Sequence, residues 1–283
     1  MSNRDAILIS AEQLMSPGAQ PPAILDVRWR LDQPDGRAAY LAGHLPGAVY
    51  VSLEDELSDH TRPGLGRHPL PTGSALQDSA RRWGLRPDQP IVVYDDWNRA
   101  GSARAWWVLT ACGLGDVRIL DGGLPAWVAA GGVLQTGPVS PPAGDIIVVH
   151  DDLYAGGRPV LTADDISGGA VTTVLDARAP ERFRGELEPV DPVAGHIPGA
   201  RNVPSMAVLG PDGRYLPDVR LAALVDEIGV GDSVGVYCGS GVTASVVLAA
   251  LNIAGVDGGL FPGSWSQWSG EGRPVETGPE AGA

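Results

Sequence analysis

Four short apolar runs set the rhythm of the chain: Ile24-Leu25, Ile91-Val-Val-Tyr94, Val174-Leu175 and Val234-Gly-Val-Tyr237. Each is brief, rich in β-branched residues and bounded by polar or glycine-containing sequence, which predicts buried strands. Helical stretches of roughly ten residues or more separate them; Trp106-Trp-Val-Leu-Thr-Ala-Cys-Gly-Leu114 lies within one, and Val246-Val-Leu-Ala-Ala-Leu251 continues as a helix after the last run. Strands alternating with helices predict βαβ units, so the fold class is α/β with mainly parallel sheets flanked by helices.

The pattern occurs twice. Ile24-Leu-Asp-Val-Arg28 returns as Val174-Leu-Asp-Ala-Arg178, Gly43-His-Leu-Pro-Gly-Ala48 as Gly195-His-Ile-Pro-Gly-Ala200, and Ile91-Val-Val-Tyr-Asp95 as Val234-Gly-Val-Tyr-Cys238. Two copies of one domain follow. Gln135-Thr-Gly-Pro-Val-Ser-Pro-Pro-Ala-Gly144 is rich in proline and glycine and reads as a connector. We assign 1–140 to a first domain, 141–158 to a linker and 159–283 to a second domain. The openings lie at Ile7 to Met15 and Leu161 to Ile166. Asp121-Gly-Gly-Leu-Pro-Ala-Trp127 and Phe261-Pro-Gly-Ser-Trp-Ser-Gln-Trp268 close the two copies with aromatics expected to pack under the sheets.

Features shared by both copies read as structural. Asp26 with Arg28, and Asp176 with Arg178, place a carboxylate and a guanidinium on one side of a strand end, an arrangement suited to local pairing. His44 and His196 sit in equivalent turns and are expected to hold them. The copies part at one position, where Asp95 stands in the first and Cys238 in the second. Around the cysteine, Cys238-Gly-Ser-Gly-Val-Thr243 is a strand-to-helix turn. Gly239 and Gly241 are expected to take φ > 0, letting backbone N–H groups converge beside the sulfur. The N-terminal end of the following helix adds positive potential, and both effects favour thiolate over thiol.

Composition narrows the possibilities. The 283 residues, 43% of them hydrophobic, suffice for two cores, and a formal charge of −14 disfavours nucleic acid and anionic membrane surfaces as partners. No uncharged apolar run approaches the ~20 residues of a membrane helix, and Met1-Ser-Asn-Arg-Asp-Ala6 does not open like a secretory signal, so cytoplasmic residence is expected. Two cysteines make no disulfide framework, and neither has a Cys or His at zinc-ligand spacing. Cys112, within an apolar helical run, reads as a core residue. The chemistry calls for no metal or organic cofactor.

Cys238-Gly-Ser-Gly-Val-Thr-Ala244 resembles the active-site loop of rhodanese-type sulfurtransferases, specifically the 3-mercaptopyruvate group. The thiosulfate:cyanide group typically carries basic residues at the two positions after the cysteine, where this chain has Gly239 and Ser240. The resemblance covers nearly the whole chain and implies two tandem rhodanese-like domains, the second catalytic. It implies Cys238 as nucleophile and Gly239, Gly241, Val242 and Thr243 as the loop that meets the substrate. Ser240 and His68 are implied as a proton relay, with Glu54 at the position of a carboxylate partner. Arg182 matches the family's substrate-binding arginine, and its fork of donors suits a carboxylate or sulfonate. Arg184 is a further candidate. The family usually has a second arginine soon afterwards, whereas this chain runs Glu188-Pro-Val-Asp-Pro192. One cationic contact is therefore missing, and Asp191 is expected to repel an anion.

The activity implied is transfer of sulfane sulfur from 3-mercaptopyruvate or thiosulfate, a small anionic donor, through a Cys238 persulfide. The acceptor implied is a thiol or cyanide, thioredoxin-like proteins among them. A persulfide carrier or binding module without efficient turnover is the alternative. A cysteine phosphatase would need an arginine closing the loop to bind phosphate, and here it closes on Thr243-Ala244-Ser245.

Overall fold

In the computed structural model, described for residues 2–16, 18 and 20–279, the apolar runs become two parallel sheets. β1 (Leu8–Ile9), β2 (Ala23–Asp26), β3 (Val49–Tyr50), β4 (Ile91–Tyr94) and β5 (Val117–Leu120) form the first, in the order β1-β5-β4-β2-β3. β6 (Thr173–Asp176), β7 (Arg201–Asn202), β8 (Val234–Tyr237) and β9 (Gly259–Leu260) form the second, in the order β7-β6-β8-β9. The shared order reflects the repeat. A parallel bridge from Val160 to Leu260 stands where the first sheet has β1. Every residue of β4 and β8 is buried, as central strands covered by helices on both faces require.

The chain divides into two units by contact. Unit 1 holds the chain up to Asp59 together with Leu70–Arg158 and Gly210–Tyr215; unit 2 holds His60–Pro69, Pro159–Leu209 and the chain from Leu216 onward. Neither unit is one contiguous stretch. The 141–158 segment is pinned to unit 1 by backbone bonds: Gly144 N–H donates to Arg81 O at 2.8 Å, Gly73 N–H to Asp151 O at 2.6 Å and Gly157 N–H to Ala111 O at 2.7 Å.

Each core repeats the other. In unit 1, Leu45, Val92, Tyr94, Leu120 and Trp127 pack together; in unit 2, Ile197, Tyr237, Phe261, Trp265 and Trp268 do so. Arg28 and Arg178 are buried against Asp26 (2.7 Å) and Asp176 (2.6 Å) and donate onward to Gly43 O and Gly195 O, tying each strand end to the following turn. His44 Nδ1 lies 2.8 Å from Tyr40 O, and His196 Nδ1 lies 2.8 Å from Phe183 O. Each ring stacks on its aromatic neighbour, so both histidines hold turns. Cys112 is buried, contacts Leu109 O at 3.0 Å, and is pushed up to about 12 by burial. Among the described residues no helix is long and apolar enough to cross a membrane.

Candidate active site

β8 delivers Cys238 to its C-terminal end, where parallel α/β sheets present ligand sites. The loop is built by two sets of backbone contacts. Cys238 N–H donates to Ser264 Oγ at 3.1 Å, while Cys238 O and Gly239 O accept from the N–H groups of Trp265 (3.0 Å) and Ser266 (2.9 Å). The helix Ser264–Gly270 thus fixes the loop from one side. On the other, Val242 O and Thr243 O accept from Ser245 and Val246 N–H, both at 3.1 Å, opening the helix Ala244–Ile253. Val242 is buried and Thr243 half-buried.

Gly241 has φ +76°, and its N–H donates to Cys238 Sγ at 3.1 Å. A Cβ there would come within 2.5 Å of Pro262 O, so glycine is required twice over. Gly239 departs from expectation, because it does not adopt positive φ. Its lack of a side chain serves space instead: a Cβ would sit 3.2 Å from Arg67 Nη2 and 3.5 Å from Arg182 Nη1.

The 60–69 segment lies in unit 2 and supplies His68. Gly66 (φ +85°) packs so closely on Gly263 that a Cβ would meet its carbonyl oxygen at 2.4 Å. Arg67 N–H donates to Ser266 Oγ at 3.0 Å. Next in line, His68 Nδ1 lies 2.7 Å from Ser240 Oγ, with both side chains buried; Cys238 is buried as well. His60 presents its ring edge-on to His68 at 5.9 Å between centroids. In unit 1, Glu54 accepts the Trp29 indole N–H at 2.6 Å.

Arg182 sits on the short helix Pro180–Phe183 and is held by acids on both sides. Its Nε and Nη2 donate to Glu188 at 3.1 and 2.6 Å, and Nη2 reaches Asp191 at 3.3 Å. Asp191 also accepts from Arg67 Nη1 at 2.7 Å. The aspartate that looked repulsive in the sequence is therefore clamped between two guanidiniums. Burial pushes the Glu188 carboxyl up, but hydrogen bonds from Arg182, Asp191 N–H and Val190 N–H bring it net below the usual range. Arg184 is paired with Glu186 at 2.8 Å on the exposed surface and leaves Arg182 as the cation of its segment that borders the loop. Arg67 escaped the sequence reading although it adjoins His68. Its placement depends on Ser266, 199 residues away.

Unit 1 has a carboxylate where unit 2 has the thiol. Asp95 follows β4 and accepts N–H bonds from Trp97 (3.1 Å), Arg99 (3.3 Å) and Ser102 (3.0 Å) and the Ser102 hydroxyl (2.6 Å). Arg99, fully buried, pairs with it at 2.8 Å. In both units N–H groups of the turn are directed at the side chain that follows the central strand, Asp95 in unit 1 and Cys238 in unit 2.

A family profile described as rhodanese-like domain matches residues 10–130 and again 161–271. A Mycobacterium tuberculosis protein bearing the provisional name thiosulfate sulfurtransferase SseB is 63% identical over 283 residues, covering 98% of this chain and 99% of that one. A Pseudomonas aeruginosa protein, provisionally named a 3-mercaptopyruvate sulfurtransferase, is 44% identical over 282 residues, covering 96% and 99%. Among solved structures, Escherichia coli SseA, described as a 3-mercaptopyruvate sulfotransferase, superposes with a TM-score of 0.79 at 34% identity over 92% of this chain and 98% of its own.

Proposed function

Because the chain belongs to the rhodanese family and is a tandem-domain sulfurtransferase, we propose that it takes sulfane sulfur from 3-mercaptopyruvate onto Cys238 and passes it to a thiol or cyanide. The Cys238 thiolate attacks the donor sulfur. A sulfur–sulfur bond forms, the donor's carbon–sulfur bond breaks, and its electron pair becomes the enolate of pyruvate. That carbon must then gain a proton, which the donor's own thiol gives up. The Gly241 N–H, 3.1 Å from Sγ, stabilises the anionic sulfur before attack and in the persulfide. An acceptor thiolate or cyanide next attacks the outer sulfur and restores Cys238.

The observation that carries the choice of donor is the buried His68 and Ser240 pair at 2.7 Å. Release of pyruvate needs a proton delivered to carbon, and a hydroxyl held by an imidazole can relay one. Release of sulfite from thiosulfate needs none. Arg182 and the loop residues Gly239, Val242 and Thr243 complete the pocket for the donor's anionic end in this reading. The name of the Mycobacterium tuberculosis relative supports thiosulfate as a second donor, whose compact sulfonate fits the same loop. Residues 1–140 supply His68 but no nucleophile, since the Asp95 carboxylate cannot hold sulfane sulfur, and 159–283 carry the sulfur on Cys238. A thioredoxin-like acceptor and a cytoplasmic setting complete the proposal.

Ser240→Ala tests it. The kcat/KM for 3-mercaptopyruvate is expected to fall on the order of a hundredfold, with much less effect on thiosulfate. Equal losses with the two donors would remove the proton relay from the mechanism.

A further inference from the structure

The two copies close with the same local structure and differ at one left-handed position. Leu124 N–H donates to Asp95 O at 2.9 Å in unit 1, and Trp265 N–H donates to Cys238 O at 3.0 Å in unit 2. Trp127 Nε1 donates to Val133 O and Trp268 Nε1 to Pro274 O, which brings Gly123 into register with Ser264. Both residues turn left-handed, with φ +55° at Gly123 and +51° at Ser264. Glycine takes that conformation freely and an L-residue does not, so the copy with the nucleophile carries strain that the other copy avoids. The Ser264 side chain is fully buried, and its hydroxyl has one proton, which goes to Phe261 O at 2.8 Å. Toward Cys238 it can therefore only accept, and it takes the Cys238 N–H at 3.1 Å. The N–H and the carbonyl of Cys238 are thereby both fixed, on either side of the Cα that bears the thiol. Gly123 has no hydroxyl to offer, and in unit 1 Asp95 is oriented through its own carboxylate by Trp97, Arg99 and Ser102.

We infer that Ser264 is a positioning residue for the nucleophile, its hydroxyl holding the Cys238 main chain so that Sγ meets the Gly241 N–H at 3.1 Å. It acts through the backbone of Cys238, its own proton being committed to Phe261 O. The inference rests on the sulfurtransferase reading above in taking Cys238 as the nucleophile, and adds to it the residue that aims the thiol. A thiol is a weak hydrogen-bonding group and cannot orient itself as the Asp95 carboxylate does. The catalytic copy accordingly keeps a strained serine at a position where glycine would be easier, and places that strain beside its reactive sulfur.

The test sets rate against stability in two variants of the full chain, Ser264→Ala and Ser264→Gly. Both lose the hydroxyl, but only glycine also relieves the strain, so Ser264→Gly should melt above Ser264→Ala. Two rates are then compared: persulfide formation with 3-mercaptopyruvate in a single turnover, and alkylation of Cys238 by iodoacetamide read by peptide mapping. Leaving the Cys238 N–H without its acceptor predicts that both rates fall about tenfold, and equally in the two variants although their melting differs. Rates that follow the melts, with Ser264→Gly faster than Ser264→Ala, make Ser264 merely structural and overturn the inference. A parental rate of either reaction in Ser264→Gly overturns it as well. Should Ser264→Ala fail to fold, Ser264→Gly against the parent decides alone. Alkylation uses no sulfur donor, so it reads the aim of the thiol independently of turnover. Slowed alkylation in the variants of a parent that turns over no donor would count against the sulfurtransferase reading and support the positioning role of Ser264.

Discussion

Replacing Gly241 by alanine attacks the turn at the point where two requirements meet. The residue sits at φ +76°, a conformation that costs an L-residue ~1 to 2 kcal/mol, and the new Cβ would lie 2.5 Å from Pro262 O, closer than such atoms approach one another. Pro262 cannot yield easily, because Phe261 is bound to Val236 O and Trp265 to Cys238 O at 2.9 and 3.0 Å. The loop must shift instead, taking the Gly241 N–H away from Sγ. Loss of a hydrogen bond to a charged sulfur is worth ~1.5 to 3 kcal/mol, or about ten- to a hundredfold in the rate of persulfide formation. Single-turnover kinetics with excess donor measure that rate, and a thermal melt measures the strain. Gly239→Ala is the comparison: its φ is not positive and its Cβ would face guanidinium nitrogens at 3.2 and 3.5 Å rather than backbone, so it should melt close to the parent while binding donor less well. A Gly241→Ala protein with parental melting and parental persulfide formation would refute both the strain and the sulfur contact.

Two further outcomes are expected. Asp95→Asn removes the partner of the fully buried Arg99 and should destabilise the protein by ~3 to 5 kcal/mol in urea denaturation. Glu188 is held below its usual range, so it contributes stability above the ordinary glutamate value of ~4.3 that is lost as pH falls through its lowered value; Glu188→Gln should flatten that part of the stability profile.

The architecture was legible because it is written twice. Strand ends such as Asp26 and Asp176, and turns such as those of His44 and His196, recur with the same spacing, and a repeat of this kind fixes which features are structural. The substitution of Asp95 for Cys238 likewise located the chemistry. What escaped depended on packing between distant residues. Arg67 earns its place from Ser266 and Gly263, far along the chain, and Asp191 changes meaning once two guanidiniums flank it. Gly239 and Gly241 look alike in sequence, yet one answers to φ and the other to the nitrogens facing it. The Pro- and Gly-rich connector carried no signal of the carbonyls on unit 1 that accept its N–H groups.

The most direct measurement is the site and fate of the sulfur itself. The protein is treated with 3-mercaptopyruvate, or in parallel with thiosulfate, then digested and mapped by mass spectrometry before and after addition of cyanide or a thiol. The added sulfur atom should appear on the peptide containing Cys238, leave it when acceptor is added, and be absent from the buried Cys112 peptide; Cys238→Ser should neither load nor turn over. Sulfur on Cys112, or sustained turnover by Cys238→Ser, would contradict the assignment of the nucleophile.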